Sequence, residues 1–284
     1  MIGMKTNTAY IHEYSMLDDI NETLSDAITS INEASYEYDR AKRDFELKTF
    51  FEDSSPDLFT EAEKAGIFER IGNAIIKIIK KIGEVLSKFT DKFLHRSKEI
   101  QTDEEIVNQI ATEHPELKST ICKGINKEWF TYRDIAKYQK DIIGLTNMLE
   151  QQTIDHRTFK EKCSEAFNNF NKSGTAIIAT GTTIVGLLSI VPKVHSAFQK
   201  NKKVLNESKG ILEKLKSKIG ANKSKDDALG FVKESTGSLS PEIVSVIVKE
   251  FSKAVSVITG ELNRVIASQG NIGEVLKNFI NEHK

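Results

Sequence analysis

The chain has 284 residues, with 40 Lys and Arg against 41 Asp and Glu, so its formal net charge is −1. A nucleic-acid packaging protein normally has a strong positive net charge and an acidic scaffold a strong negative one, so the net charge argues against both classes. Hydrophobic residues make up 39% of the chain and charged residues 29%, which is polar but does not indicate disorder. Four prolines and 16 glycines are too few for a turn-rich all-β protein.

The near-zero net charge hides opposed blocks of charge along the chain. Residues 1–63 hold 15 acids and 5 bases, residues 64–100 hold 9 bases and 4 acids, and residues 193–225 hold 10 lysines and 2 acids. The acidic and basic segments could pair within one molecule or between copies, or the basic segments could face an anionic surface. They could equally be solvated faces of helices.

Helix start signals and apolar spacing predict an all-α protein. Residues 1–63 form an acidic N-terminal helical arm, with a helix expected over about 15–51. A basic amphipathic helix is expected within 64–100, beginning after Thr60 in a capping box and ending near 98. The remaining segments are predicted to be a helical bundle over 101–219, a linker over 220–240 and a C-terminal helical segment over 241–284.

More detailed boundaries are expected within these segments. A small helical region is expected over 102–129, followed by helices over about 131–152 and 157–188. The C-terminal segment begins with Ser240-Pro241-Glu242, an N-cap, a proline at the first helical position and an acid in the first turn. It is expected to be one helix, or two with a break near 270–273.

The strongest pattern is a stripe of apolar residues on one face of the helix over 67–94. This apolar stripe consists of Ile67, Phe68, Ile71, Ile75, Ile78, Ile79, Ile82, Leu86, Phe89 and Phe93. The opposite side, here called the basic face, carries Arg70, Lys77, Lys80, Lys81 and Lys88. The pattern is typical of a helix at a membrane interface or in a self-associating surface, and the core-facing helix of a bundle shows the same stripe.

Residues 173–192 contain no charged side chain, and Lys172 and Lys193 bracket them. As a helix, 20 residues would span about 30 Å, the thickness of the hydrocarbon core of a bilayer. Threonine, serine and glycine lower the hydrophobicity of this segment. We expect an apolar helix here, which is either the buried central helix of a bundle, a membrane segment hidden until a trigger, or a permanent transmembrane helix.

No constellation for catalysis or metal binding is found in the sequence. The phosphate-loop, nucleophile-elbow, zinc-protease and dinucleotide-binding motifs are absent, and the six histidines include no i, i+4 pair. We therefore predict no catalytic residue, no metal and no cofactor, and a protein that is not an enzyme. The lysines of 193–225 come with one aromatic residue, Phe198, and no arginine, so nucleic-acid contact would be non-specific phosphate binding.

The run Phe68-Glu69-Arg70-Ile71-Gly72-Asn73-Ala74-Ile75-Ile76-Lys77-Ile78-Ile79-Lys80-Lys81-Ile82 follows the acidic arm, and helical hairpins with an uncharged stretch follow it. This arrangement resembles that of virion structural proteins of large tailed bacteriophages, best over 15–100 and at the level of architecture over 130–215. The resemblance implies a non-enzymatic virion component that is internal to the capsid or released with the genome. Its partners would be further copies, other virion proteins or an anionic membrane surface.

A weaker resemblance links the chain to α-helical pore-forming toxins, which are also bundles of long helices with one hidden apolar segment. It implies a membrane-active protein as the alternative function. The N-terminus lacks the pattern of a secretory signal, so we expect synthesis in the cytoplasm of a bacterial host and a final location in the virion. The expected fold is an elongated all-α multi-helix bundle with one long amphipathic helix and one uncharged apolar helix.

Overall fold

The computed structural model describes residues 61–225 and 241–283, together with seven single residues of the acidic arm. These seven residues are all helical: Glu22, Ser25, Asp26, Thr29, Glu33, Tyr36 and Arg40. The rest of the helix predicted over 15–51 lies outside the described residues. The described part of the chain is mostly helical with little sheet, which confirms the all-α prediction.

Five long helices and one short helix make up most of the described chain. They are α1 (Glu61–Glu113), α2 (Ile135–Glu150), α3 (His156–Lys172), the short α4 (Ile184–Leu188), α5 (Val191–Lys225) and α6 (Pro241–His283). Two 3-10 helices, Pro115–Ser119 and Lys127–Phe130, lie between α1 and α2. Strand β1 (Thr131–Tyr132) pairs antiparallel with strand β2 (Thr175–Ala176).

Helix α1 is longer than predicted, because it ends at Glu113 rather than near 98. The predicted new start at Thr102 is wrong: the Thr102 hydroxyl donates to the Lys98 carbonyl (3.2 Å) inside a continuous helix. The helix ends before Pro115, whose ring disfavours helical backbone at the preceding residue. His114 accordingly has φ −127° and ψ 76°.

The prediction of a helix over 173–192 is wrong. This uncharged segment contains β2, a turn at Gly181, the five residues of α4 and the first residues of α5. Gly181 has a φ of 72°, a left-handed conformation that interrupts a helix and that glycine adopts without strain. The Thr183 Oγ1 then accepts a hydrogen bond from the Gly186 N–H (3.2 Å), which caps α4 as a separate helix.

The uncharged segment is instead held by pairing with residues that precede α2. The Ile177 N–H donates to the Phe130 carbonyl (2.9 Å), and the Cys122 N–H donates to the Thr182 carbonyl (2.9 Å). Four of its apolar side chains are buried: Ile178, Ile184, Leu187 and Ile190. Among the described residues, none of the helices combines the length and the apolar character needed to cross a bilayer.

Helices α2 and α3 are both shorter than predicted. Helix α2 begins at Ile135 and not near 131, because Asp134 is its cap: the Asp134 Oδ1 accepts from the Lys137 N–H (3.2 Å). Helix α3 ends at Lys172 rather than near 188, where the pairing of β2 with β1 takes over.

Two compact units divide the described chain. The first unit contains residues 61–83, 140–164, 206–225 and 241–256, and the second contains 84–139, 165–205 and 257–283. Each of the five long helices therefore contributes one stretch to each unit. Helix α5 reaches Lys225, inside the segment predicted as a linker, and residues 226–240 lie outside the description.

Helix α6 is buried on nearly all sides. It begins at Pro241, as the N-cap and proline signal predicted, and it continues through 270–273 as one helix, which is the first of the two predicted alternatives. Between 243 and 280, the exposed residues are Lys253, Glu274, Lys277 and Asn278. The central buried helix of each unit is therefore the stretch of α6 within it, and not a helix over 173–192.

Helix α2 ends in a left-handed turn at Gln152, which has a φ of 56°. The Thr153 N–H donates to the Met148 carbonyl and the Gln152 N–H to the Leu149 carbonyl, both at 3.0 Å. This is the Schellman pattern of helix termination, in which glycine normally occupies the left-handed position. A residue with a side chain costs about 1 kcal/mol there.

We expect Gln152→Gly to raise the free energy of unfolding by about 0.5–1 kcal/mol, because glycine relieves the left-handed strain and keeps both turn hydrogen bonds. Urea denaturation followed by circular dichroism measures the change. Gln151→Gly is the matched control and should not stabilise, because Gln151 has no positive φ. Equal effects of the two substitutions would contradict the prediction.

Candidate functional site

The apolar stripe of α1 lies mostly in the protein core. Seven of its ten residues are buried: Ile71, Ile75, Ile78, Ile82, Leu86, Phe89 and Phe93. Ile79 is half-buried, and the side chains of Ile67 and Phe68 lie outside the description. In this conformation the folded chain itself covers the stripe, and its contact with a membrane or another copy stays a prediction.

The basic face of α1 lies on the surface. Arg70, Lys77, Lys80 and Lys88 are exposed, and Lys81 is half-buried. Ile76, next to Lys77, is 41% exposed. Lysine ammonium groups on flexible stems bind anionic surfaces without requiring a fixed geometry. The outer side of α1 is therefore a candidate contact surface for an acidic partner.

In the second unit, aromatic packing joins the apolar stripe to α5. The Phe93 ring stacks on the Phe198 ring with 3.8 Å between the ring centroids, and the His195 ring is tilted over Phe93 at 4.9 Å. The His195 Nε2 lies 2.9 Å from the Ser97 Oγ. Burial lowers the pKa of His195, so this packing favours the neutral imidazole.

Close contacts also join α1 to α6 in the second unit. The Gln269 Nε2 donates to the Phe93 carbonyl (3.0 Å), and the Arg96 Nη1 donates to the Ile266 carbonyl (2.8 Å). The Arg96 guanidinium crosses α6 at Gly270, where an added Cβ would lie 3.0 Å from the Arg96 Nη1. Glycine thus permits the close approach of this charged group to the α6 backbone.

A line of polar residues on α6 holds the connector, defined here as residues 114–134. The line consists of Glu261, Arg264, Ser268 and Asn271, at i, i+3, i+7 and i+10. Arg264 donates to the Glu128 carbonyl (3.0 Å), and Asn271 donates to the Gly124 carbonyl (3.3 Å). The Tyr132 hydroxyl donates to the Ser268 Oγ (2.9 Å). Burial raises the pKa of Tyr132 to about 12, which keeps this donor protonated.

Glu261 is the central charge of this line. Its buried Oε1 lies 2.6 Å from the Arg133 Nη1 and 3.5 Å from the Arg264 Nε. The Arg133 guanidinium also lies over the Phe170 ring, 5.7 Å from its centroid, so it links the connector to both α6 and α3. The buried carboxylate is stabilised by a charge-assisted hydrogen bond from Arg133 and by an ion pair with Arg264.

Sequence reasoning missed this polar line. The C-terminal segment 241–284 was predicted only to be helical, and it was not identified as the central helix. The available signal was the high share of apolar residues in α6, because polar residues at helical spacing within a helix that becomes buried need hydrogen-bond partners.

The two cysteines are free thiols with little nucleophilic character. Burial raises the pKa of Cys163 to about 12, with a further contribution from Glu250, and raises that of Cys122 to about 11. Thiolates and not thiols act as nucleophiles and metal ligands. Among the described residues, no three His, Cys, Asp or Glu side chains are grouped to hold a metal ion.

A depression of about 370 Å³ lies in the first unit at the turn between α2 and α3, lined mainly by Leu149, Thr153, Ile154, His156 and Ile243. Asp155 at its edge caps α3, since its Oδ1 accepts from the Thr158 N–H (2.7 Å). The basic face of α1 and this depression are two surface features of the described residues. Comparisons of the chain with known protein families, with curated proteins and with solved structures find no match.

We expect Glu261→Gln to lower the free energy of unfolding by about 2 kcal/mol, because it leaves two guanidinium groups without their shared buried anion. Chemical denaturation measures this loss. Glu274→Gln is the matched control on the same helix, where the side chain is exposed, and should change stability by less than about 0.5 kcal/mol. If both variants unfold like the original chain, the contacts of Glu261 with Arg133 and Arg264 do not hold the connector.

Proposed function

We propose that the protein is a non-enzymatic structural or interaction protein of a bacteriophage virion, made in the host cytoplasm and internal to the capsid or released with the genome. The resemblance of its acidic arm and Ile/Phe/Lys helix to phage virion proteins supports this context. In this proposal the fold is an elongated helical bundle that works as a homo-oligomer or beside other virion proteins.

The sidedness of α1 is the observation that carries the proposal. Its apolar stripe is largely buried within the chain, while Arg70, Lys77, Lys80 and Lys88 are exposed. A helix whose apolar side is already covered presents its charged side to other molecules. Exposed ion pairs contribute only about 0–1 kcal/mol each, so such a surface is effective where many copies act together.

The use of the buried polar groups supports a scaffold role. Arg133, Glu261 and Arg264 are bonded to one another or to the connector backbone, and Tyr132 donates to Ser268. These groups hold α6, the connector and α3 together. Polar contacts between distant elements favour one packing of a fold over others.

The test is mass spectrometry of purified phage particles from a host that expresses this chain during infection. We expect the chain in particles at a copy number comparable to that of other structural proteins. A phage-encoded cytoplasmic enzyme of similar abundance in the infected cell is the control for carry-over. Recovery of both proteins only in the soluble lysate would reject the virion role.

Membrane activity is a second candidate function, favoured by the position of the uncharged segment 173–192. Much of the segment is exposed and only its last two residues belong to a long helix, so residues 173–190 could rearrange without unwinding one. Two exposed apolar side chains, Ile121 at 60% and Val185 at 47%, belong to neighbouring stretches that are joined by the bridge between Ile121 and Thr183.

Dye release from phosphatidylglycerol vesicles tests this candidate. If the protein is membrane-active, it should release dye from these vesicles and not from purely zwitterionic ones, because the basic face attracts anionic lipid. Lys77→Glu combined with Lys80→Glu should weaken vesicle binding, whereas Lys160→Glu on the exposed side of α3 should have a smaller effect. No release over a range of pH and protein concentration rejects the candidate.

A further inference from the structure

Two glycines and two isoleucines of α1 lie in one line along the helix, within the first unit. We call them the glycine–isoleucine line, which consists of Gly72, Ile76, Ile79 and Gly83, at spacings of 4, 3 and 4 residues. Since each residue turns the helix by about 100°, the four directions differ by no more than about 60°. Ile76 is 41% exposed, and the other three residues are half-buried. The line is therefore a partly apolar strip at the surface.

The described fold makes no use of the missing side chain of either glycine. A Cβ added at Gly72 or Gly83 would meet no described atom within 4 Å, whereas one added at Gly270 would lie 3.0 Å from the Arg96 Nη1. Glycine inside a helix is destabilising relative to alanine, because its backbone loses more entropy on folding. Two open glycines on one face are accounted for if the backbone of a partner approaches α1 closely there.

The charges beside the line are of one sign. Residues 70–83 contain four basic side chains and no acid, and Glu69 and Glu84 stand just outside the two ends of this stretch. Lys80 is exposed and lies about 70° around the helix from the middle of the line. Its flexible stem can reach an acid on a helix packed against the line. A second copy of α1 would bring the same basic residues together, and like-charge repulsion disfavours that arrangement.

We propose that the glycine–isoleucine line docks an acidic amphipathic helix of another protein. Small residues of the partner pack against the α1 backbone at Gly72 and Gly83, and Ile76 fits between two turns of the partner helix. Facing small residues allow the two axes to come closer than the usual 8–10 Å. Acids in the middle of the partner pair with Lys80, while its ends are neutral or basic where they approach the acids outside the stretch.

A lipid surface is the other class of anionic partner, and the glycines distinguish the two. Interfacial lipid binding depends on apolar area and on positive charge, neither of which is reduced by a methyl group added at Gly72 or Gly83. Close packing of two helices is opposed by the same methyl groups, because they separate the backbones. The glycines therefore favour a helix as the occupant.

The inference rests on the proposed function in treating the outer side of α1 as a contact surface, and it names the partner of that surface. The two fail separately, because peptide binding is measured on the purified chain and the virion role is measured on particles.

The test is the fluorescence anisotropy of labelled peptides titrated with the purified full chain in low-salt buffer. The peptides have about 20 residues, since shorter helices are marginal in water. The acidic peptide carries alanine and leucine on one helical face and glutamate on its flanks. A basic peptide has lysine in place of glutamate, and a reordered peptide has the same composition without the apolar face. We expect a Kd of about 10 μM for the acidic peptide and binding at least about 10-fold weaker for the other two.

Gly72→Ala combined with Gly83→Ala separates fold stability from docking. Alanine favours the helix and meets no described atom, so the thermal midpoint should rise, while binding of the acidic peptide weakens about 10-fold. Gly144→Ala is the matched control at an exposed, equally open glycine of α2 in the same unit. It should raise the thermal midpoint and leave peptide binding unchanged.

Lys80→Glu tests the charge beside the line. It should weaken binding of the acidic peptide about 10-fold and remove most of the salt dependence, because the ion pair becomes a repulsion. Lys160→Glu, at an exposed lysine of α3 in the same unit, should bind the peptide like the original chain.

Four results overturn the proposal. They are absence of binding by the acidic peptide, equal binding by the basic or reordered peptide, unchanged binding by the double glycine variant, and a lower thermal midpoint of that variant. Phosphatidylglycerol vesicles provide the lipid arm of the experiment. If they bind the chain while the peptides do not, and the double glycine variant binds them equally well, the surface contacts lipid and the helix-docking proposal is rejected.

Discussion

The burial of α6 on nearly all sides is the constraint on which the described structure depends. Polar side chains on such a helix are stabilised by hydrogen-bond partners from other elements, because an unpaired buried polar group costs about 1–3 kcal/mol. The connector supplies partners to Glu261, Arg264, Ser268 and Asn271, although the Arg264 Nε and the Asn271 Oδ1 are buried without a hydrogen bond. These contacts give the connector a fixed place despite its few regular elements.

The same contacts explain how the uncharged segment 173–192 is used. Its strand β2 pairs with β1, which leads directly into Arg133 and thus to Glu261. The segment contributes four buried apolar side chains and otherwise lies at the surface. The uncharged residues therefore form the strand β2 and the turns beside the connector. Threonine suits the extended backbone of the strand, and glycine suits the turns.

Helix α1 packs its apolar stripe inside the protein and exposes most of its basic face. The amphipathic pattern alone could not show whether the stripe faces the core, a partner or a membrane. The stripe residues pack inside, as the stacking of Phe93 on Phe198 shows for the second unit. Lys77, Lys80 and Lys88 on the other side of the helix are exposed. The apolar side thus contributes to stability through burial, while the charged side offers weak, salt-sensitive interactions that gain strength through repetition.

Local signals were sufficient for the parts of the fold that depend on a few neighbouring residues. The all-α class, the start of α1 at Glu61 and the start of α6 at Pro241 follow from helix propensity, spacing and caps, and so does the presence of an apolar stripe in α1. Tertiary structure decided the rest. Continuous packing carried α1 through the false start at Thr102, pairing with β1 turned 173–192 into strand and turn, and burial made α6 the central helix. These outcomes depend on partners far away in sequence, and local spacing and caps do not specify which distant segment will cover an apolar side.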